Sequence, residues 1–494
     1  MNELPSNRRP DEPNPDLAAA IRLLAHTSVM VIGDVMLDQF TYGTVSRISQ
    51  EAPVPVLMAE REVAYPGGAG NVVRNLTSLG AAVAFISVVG DDTAGSDLTG
   101  LIGGQMNVEP WLLVQGRRTT TVKSRFFASG QQLLRTDREQ TDPIHPKLAE
   151  RLVRIAGDAM AATSVTVLSD YGKGVLSGTI PAQLVAASRA MGRKLIVDPR
   201  GTDFSRYAGA DIVMPNRPEL SAATRLPVGT EAEIVTAAAA LRDTFGFGAV
   251  VVTRGNDGMT LVDEDGAQHF PAEAGEVYDT SGAGDTALAV LAASVAAQLP
   301  LAMAVRIANL AAGVAVGKVG SAVVSEAELL AALSPQRSAQ RKIVSREDAV
   351  ALVERWRHRG WRIGFTNGCF DLLHPGHVHM LEAARAGCDR LVVAINSDDS
   401  AARVMQPPRP VQPDAARAAI LASLASVDLV CIFDEDTPES LIQALRPDLL
   451  IKGANHMLED IVGGDLVRGW GGTVALTDLL PGHSTQATLA RIRA

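Results

Sequence analysis

Apolar residues in the first two thirds of the chain follow two rhythms. Short continuous runs at 28–32, 83–89, 165–168, 194–197, 211–214 and 249–253 are rich in Val, Ile and Leu. Strands buried on both faces read this way. Between them lie longer stretches with helical spacing: 16–25, the segment opened by Gly67, Gly68 and Asn71 and running to Leu79, and several Ala-rich segments after Lys147. Strands alternating with helices predict a mainly parallel sheet covered by helices. Two stretches break the rhythm. Residues 43–56 are polar, carry two prolines and read as an edge hairpin or lid, and 119–127 with 131–135 alternate like a hairpin.

Residues 334–341 are polar without periodicity and read as an interdomain linker. A second, shorter α/β pattern follows, with a helix over 346–359, a strand over 362–366 and a helix after His377. Strands at 390–395, 428–432, 448–451 and 473–476 complete a smaller sheet. The expected organisation is a disordered tail (1–15), a large α/β domain (16–333), a linker (334–341) and a smaller α/β domain (342–494). The tail is Pro-rich and lacks the apolar core of a signal peptide.

Composition narrows the chemistry. A formal net charge of -10 argues against a nucleic acid as the main ligand. Cys369, Cys388 and Cys431 form no Cys-x-x-Cys pair, so neither a disulfide framework nor a cysteine zinc site is expected. The longest apolar runs are short or broken by Arg306 and Asn309, so no membrane span and a cytoplasmic setting are expected. Lys318 is followed by Val319 where a Walker loop needs Ser or Thr, and Gly68-Ala69-Gly70 lacks the third glycine of a dinucleotide fingerprint. Any ATP chemistry must use another phosphate cradle.

One such cradle is Ser281-Gly282-Ala283-Gly284-Asp285, a small-residue turn opening an apolar helix. Free N–H groups of a helix's first turn make an anion site. A carboxylate there repels phosphate, but it makes sense if Asp285 takes a proton from an attacking hydroxyl; the alternative is a helix cap. Thr253-Arg254-Gly255 ends a strand and can wrap phosphates, while Asn216-Arg217-Pro218-Glu219 follows another strand and offers Asn216 and Glu219 to Mg²⁺ or to a helix cap. Asp34 and Asp38 lie near a strand end, where carboxylates can accept hydrogen bonds from sugar hydroxyls or serve a turn. In the second half, Thr366, Gly368 and Phe370 end a strand, and His374 and His377 open a helix. Two imidazoles so placed can hydrogen-bond phosphate oxygens; a zinc site would need a third ligand at a familiar spacing.

The order of Gly67-Gly68, Asn216/Glu219, Thr253–Gly255 and Gly282–Asp285 resembles the ribokinase-like carbohydrate kinases over about 28–333. That resemblance implies Asp285 as catalytic base, an anion hole at Ser281–Gly284, Mg-ATP support by Asn216 and Glu219, and sugar recognition by Asp34, Asp38, Gly67, Gly68 and Asn71. The His374-Pro375-Gly376-His377 segment, with Lys452 and with Ser484-Thr485 near the end, resembles the cytidylyltransferase-type nucleotidyltransferases over about 362–494. It implies a Rossmann-like domain with His374, His377 and Lys452 stabilising charge as pyrophosphate leaves.

With Gly33-Asp34-Val35-Met36-Leu37-Asp38, Ser46-Arg47-Ile48-Ser49, Glu51-Ala52-Pro53-Val54-Pro55-Val56 and Leu168-Ser169-Asp170-Tyr171, the fused chain as a whole resembles the bifunctional heptose 7-phosphate kinase/heptose 1-phosphate adenylyltransferases, which implies ATP in both domains, Mg²⁺, sugar phosphates as the small-molecule partners and a homodimer. A substrate already phosphorylated at C7 calls for cations, for which Arg47, Lys123, Arg125 and Lys173 are the candidates. Met405, Asn455 and Gln486 depart from the nucleotidyltransferase pattern. They leave a second reading open: a sugar kinase whose C-terminal domain only binds nucleotide or dimerises.

Overall fold

In a computed structural model, the described residues are 15–128, 131–272, 280–318, 322–333, 339–340, 342–358, 360–405, 409–453 and 461–477. They form two compact units, one within residues 15–333 and the other within 339–477.

In the first unit, a nine-stranded sheet runs in the order Gly266–Phe270, Met259–Asp263, Ala249–Thr253, Ile212–Val213, Lys194–Asp198, Val165–Ser169, Ser28–Gly33, Ala82–Gly90, Val108–Gln115. All neighbours are parallel except the pairs made by the two strands at the Phe270 end. Side-chain alternation divides the core. Val29 and Val31 join one cluster and Met30 and Ile32 the other, on opposite faces of the sheet. Both faces are buried, which is why these strands read as unbroken apolar runs.

Strand order reverses beside Ser28–Gly33. Later strands go one way from Ala82–Gly90 and the other way from Val165–Ser169. Open α/β sheets bind ligands in the crevice beyond the carboxyl ends of strands at such a reversal. Here it is flanked by Asp34 and by Asp170-Tyr171. The helix Ala283–Ala296 is buried along Thr286–Ser294, and its N-terminus carries Asp285. A four-stranded lid, Pro55–Gly68, Val35–Ile48, Val122–Ala128, Gln131–Arg138, grows out of the same region.

The second unit has six parallel strands in the order Ile343–Val344, Leu429–Phe433, Arg390–Asn396, Ile363–Gly368, Leu449–Gly453, Thr473–Thr477. Its order reverses between Ile363–Gly368 and Leu449–Gly453, so its crevice lies beyond Gly368 and Gly453. Hydrophobic periodicity does not reveal Val108–Gln115, whose Glu109 and Pro110 suit an edge strand, nor the hairpin Met259–Asp263/Gly266–Phe270. The helix expected after His377 begins two residues earlier, at Pro375, because proline at the first helical turn forfeits no hydrogen bond. The expected linker falls mainly at 334–338 and 341, outside the described residues, as do the first fourteen residues and Ser484 and Thr485.

Candidate active sites

The first site gathers at the reversal in the larger sheet. Asp285, half-buried in the first turn of its helix, has both oxygens engaged. Oδ2 accepts from Asn71 Nδ2 at 2.8 Å, and Oδ1 accepts from the Tyr171 hydroxyl. Burial raises its pKa to about 6; the hydrogen bonds from Tyr171 and Asn71 and the charge of Lys123 pull it down, and Asp38 pushes it up. The carboxyl is therefore ionised at pH 7 yet basic enough to accept a proton. Gly282, at φ 80°, makes the turn into the helix, a conformation that only glycine adopts without strain. Ser281, Ala283 and Gly284 flank it at the helix start, where backbone N–H groups lack intrahelical partners.

Asp38 lies over this point on the lid. It pairs with Arg125 Nη1 at 2.6 Å and sits opposite Lys123 in the strand register. A Cβ at Gly67 would come within 2.0 Å of Asp38 Oδ2, so the glycine is what lets the two chains approach. Gly68, at φ 58°, then turns into the helix that carries Asn71. Asp34 differs from its expected role as a sugar-hydroxyl acceptor. It is only 1 % exposed, and its oxygens are filled by the N–H groups of Tyr171, Lys173 and Val175 at 2.9, 3.0 and 3.0 Å. It holds a loop instead, with a pKa raised by burial and by Asp170 against those three donors.

The four cations expected at a distal phosphate are not gathered together. Lys123 and Arg125 share a face beside Asp38; Lys173 pairs with Glu139 at 2.6 Å. Arg47 is exposed nine residues along the strand from Asp38, about 30 Å away at a strand's rise per residue.

Asn216 and Glu219 form a capping box: Asn216 Oδ1 accepts from Glu219 N at 2.9 Å, and Glu219 Oε2 accepts from Asn216 N at 3.0 Å. The second Glu219 oxygen lies 3.3 Å from Arg200. Pro218 occupies the first turn of that helix, and Arg217 pairs with Asp257. Arg254 is not a free phosphate ligand; its guanidinium is buried and pairs with Glu231 at 2.6 Å. Arg217, Arg254, Asp257 and His269 nonetheless line a cavity of about 570 Å³ beside the Thr253-Arg254-Gly255 strand end. Two residues to which the sequence assigned no role belong here: Tyr171, which ends the Leu168-Ser169-Asp170-Tyr171 segment, and Asp198. Asp198 ends its strand with a pKa pushed well up by burial, then by Asp285, Glu219 and Asp170. Their signal was position: Asp198 ends one buried strand and Tyr171 follows another at the sheet's carboxyl edge.

In the second unit, Thr366, Gly368 and Phe370 end the strand beside the reversal. The Phe370 ring packs against Gly368 and lies 5.2 Å from the His377 ring. His374 immediately precedes the helix Pro375–Ala386, and its ring stacks on His377 at 3.8 Å. Burial, reinforced by His374, lowers the His377 pKa to about 4, so its imidazole is neutral at pH 7. Lys452 reaches across from the adjacent strand and donates to Asn367 O at 2.8 Å; burial lowers its pKa to about 8, with Cys369 opposing. Thr366 Oγ1, Asn367 Oδ1 and His377 Nδ1 are buried without hydrogen-bond partners. Buried orphan polar atoms are costly unless a partner satisfies them, and these sit on the strand and helix that meet at the reversal. Asp371 and Arg417 brace the rim. Asp371 accepts from Arg409 and from two backbone N–H groups, and Arg417 donates to Cys369 O, Gln412 O and Asp398. Among the described residues, no group of three or more His, Cys, Asp or Glu side chains is arranged to hold a metal.

Residues 26–328 match the pfkB family of carbohydrate kinases, and 365–471 match the cytidylyltransferase-like family. The larger unit also has the fold of *Arabidopsis thaliana* ribokinase (TM-score 0.50, 21% identity, 62% of this chain and 98% of that one). It matches *Escherichia coli* phosphofructokinase-2 similarly (TM-score 0.53, 22% identity, 62% of this chain and 99% of that one). Fold and sites thus define a carbohydrate kinase joined to a nucleotidyltransferase. Over its whole length the chain is 62% identical to the bifunctional protein HldE of *Acidiphilium cryptum*, covering 97% of this chain and 98% of that one. The HldE of *Rhodospirillum rubrum* is 52% identical over 97% of this chain and 98% of its own. The chain belongs to the bifunctional HldE family, with both enzymatic units retained. Among the described residues, no helix is long and apolar enough to cross a membrane.

Proposed function

We propose that the first unit phosphorylates D-glycero-β-D-manno-heptose 7-phosphate at C1 with ATP. A separate phosphatase then removes the 7-phosphate, and the second unit transfers AMP from ATP to heptose 1-phosphate, giving ADP-heptose for the lipopolysaccharide core. The observation that carries this reading is the full-length likeness to HldE at 62% identity, spanning both units.

Asp285 is the base in this scheme: it takes the anomeric hydroxyl's proton as that oxygen attacks the γ-phosphorus and ADP leaves. The N–H groups at Gly282–Gly284 receive the transferring phosphoryl group. Asp38, Asn71 and the backbone at Gly67-Gly68 hold the sugar, and Lys123, Arg125 and Arg74, which donates to Asn71 Oδ1 at 3.2 Å, are cations beside it. The carboxylates of Asp198 and Glu219 crowd one another with Arg200 as the nearby cation, a setting that suits a divalent ion. They would hold Mg²⁺ through water, with Asn216 fixing Glu219. When bound, the ion neutralises charge on the phosphates. In the second unit, His374, His377 and Lys452 bind the triphosphate and stabilise departing pyrophosphate, with no covalent intermediate.

Replacing Asp285 by Asn should reduce kinase turnover by orders of magnitude while ATP still binds; near-normal turnover would sink the base assignment. Phosphorus NMR of the full chain with heptose 7-phosphate, ATP and the phosphatase should show the 1,7-bisphosphate and then ADP-heptose. We also infer a homodimer through the lid, whose sheet exposes Val45, Ile48, Met58, Leu133 and Leu134. Sedimentation should give twice the chain mass for the wild type, and Leu134→Asp should lower it.

A further inference from the structure

We propose that Tyr171 is a positioning residue of the kinase reaction: its hydroxyl, opposite the Asn71 amide, holds the Asp285 carboxylate in the orientation from which it takes the sugar's proton. This rests on the base assignment above.

An Asp in the first turn of a helix has an easy alternative, which is to swing back and hydrogen-bond the free N–H groups of its own helix. Here each oxygen is instead claimed by a donor from another element. Asn71 comes from the helix Ala69–Ser78, and Tyr171 from the loop after Val165–Ser169.

The loop is fixed independently of Asp285. Asp34 accepts the N–H groups of Tyr171, Lys173 and Val175, so alternate residues are wrapped round one buried carboxylate. Asp170 accepts from Gly172 N at 2.7 Å and is itself pinned by Tyr207 at 2.6 Å and Arg206 at 3.0 Å. Gly172 and Gly174 take φ values of 67° and 94°, which the wrap requires. With its backbone held on both sides, Tyr171 presents its hydroxyl to one place.

The hydroxyl keeps its own proton. Burial and the Asp285 charge push the phenol well above its usual range, so it acts only as a donor. The sugar's proton passes to a remaining carboxylate lone pair as the anomeric oxygen bonds to phosphorus and the bond to ADP breaks. The charged groups facing Asp285 are Asp38 and Lys123 on the lid and Asp198 at its strand end. Because the phenol is protonated, replacing Tyr171 by Phe changes no charge among them.

The test is Tyr171→Phe in the full chain, assayed for kinase activity across pH. Loss of the donor should lower kcat by about tenfold or more, as for a misaligned base. It should also move the acid limb of the kcat/KM profile to higher pH by roughly half a unit or more. KM for ATP should stay within about twofold and the kinase unit's melting transition should be unchanged, which reports that this unit is folded, while adenylyl transfer by the same chain should be unaffected. Incorporating 3-fluorotyrosine at 171, a stronger donor, should move the limb the opposite way. An acid limb that stays put, or moves the same way with both replacements, overturns the positioning role. If Asp285→Asn is inactive and Tyr171→Phe leaves the limb unmoved, only this proposal fails. If Asp285→Asn turns over normally, the base assignment itself fails.

Discussion

At the scale of single residues, burial does most of the chemical tuning. Asp285 sits near pKa 6 because desolvation outweighs its two hydrogen bonds. A base works only when deprotonated, so wild-type kinase kcat/KM should fall on the acid side with a midpoint near pH 6 and be flat towards pH 8; a rate-against-pH series checks this. Lys452 titrates near 8 for the same reason with the opposite sign, since burial favours its neutral form. Its charge is lost as pH rises, so kcat/KM for pyrophosphate release should decline above about pH 8. Lys452→Arg should flatten that limb, because arginine stays charged. His377, near 4 when unliganded, meets ATP as a neutral imidazole and donates a hydrogen bond. Phosphate beside it favours protonation, so calorimetry in buffers of different ionisation enthalpy should show proton uptake as ATP binds. His377→Ala should abolish adenylyl transfer and spare the kinase.

At the scale of elements, the strands and helices do little chemistry and much aiming. The run Met30–Ile32 is legible as a strand because both its faces are covered, and Thr286–Ser294 as a buried helix because it is apolar all round. Asp34 was legible only as a carboxylate at a strand end. That it would serve three N–H groups of a loop some 140 residues later depends on which strand lies next to it. Asp34→Ala would leave those buried donors unsatisfied, at roughly 1–3 kcal/mol each. The kinase unit's melting transition should fall and kinase activity collapse, while the adenylyltransferase transition stays in place; calorimetry with both assays checks this. Gly67→Ala would drive a methyl group into Asp38, so KM for the sugar phosphate should rise at least tenfold with KM for ATP little changed.

At the scale of the whole molecule, two sheets each reverse strand order once, and each reversal gathers one site. The two sets of core clusters draw on separate stretches of chain. Residues 1–339 and 340–494 expressed apart should therefore each melt cooperatively, the first phosphorylating heptose 7-phosphate and the second releasing pyrophosphate from ATP and heptose 1-phosphate. A silent second half would favour the reading in which that domain only binds or dimerises. The sequence by itself determined the two α/β halves, the turn bearing Asp285 and the His374–His377 pair, because periodicity, glycine turns and short motifs are local properties of the chain. Only the tertiary structure decided that Asp34 braces a loop, that Arg254 is tied to Glu231, that the four cations do not converge and that Tyr171 grips Asp285. Each of those depends on which distant strands become neighbours, and local pattern carries no record of that.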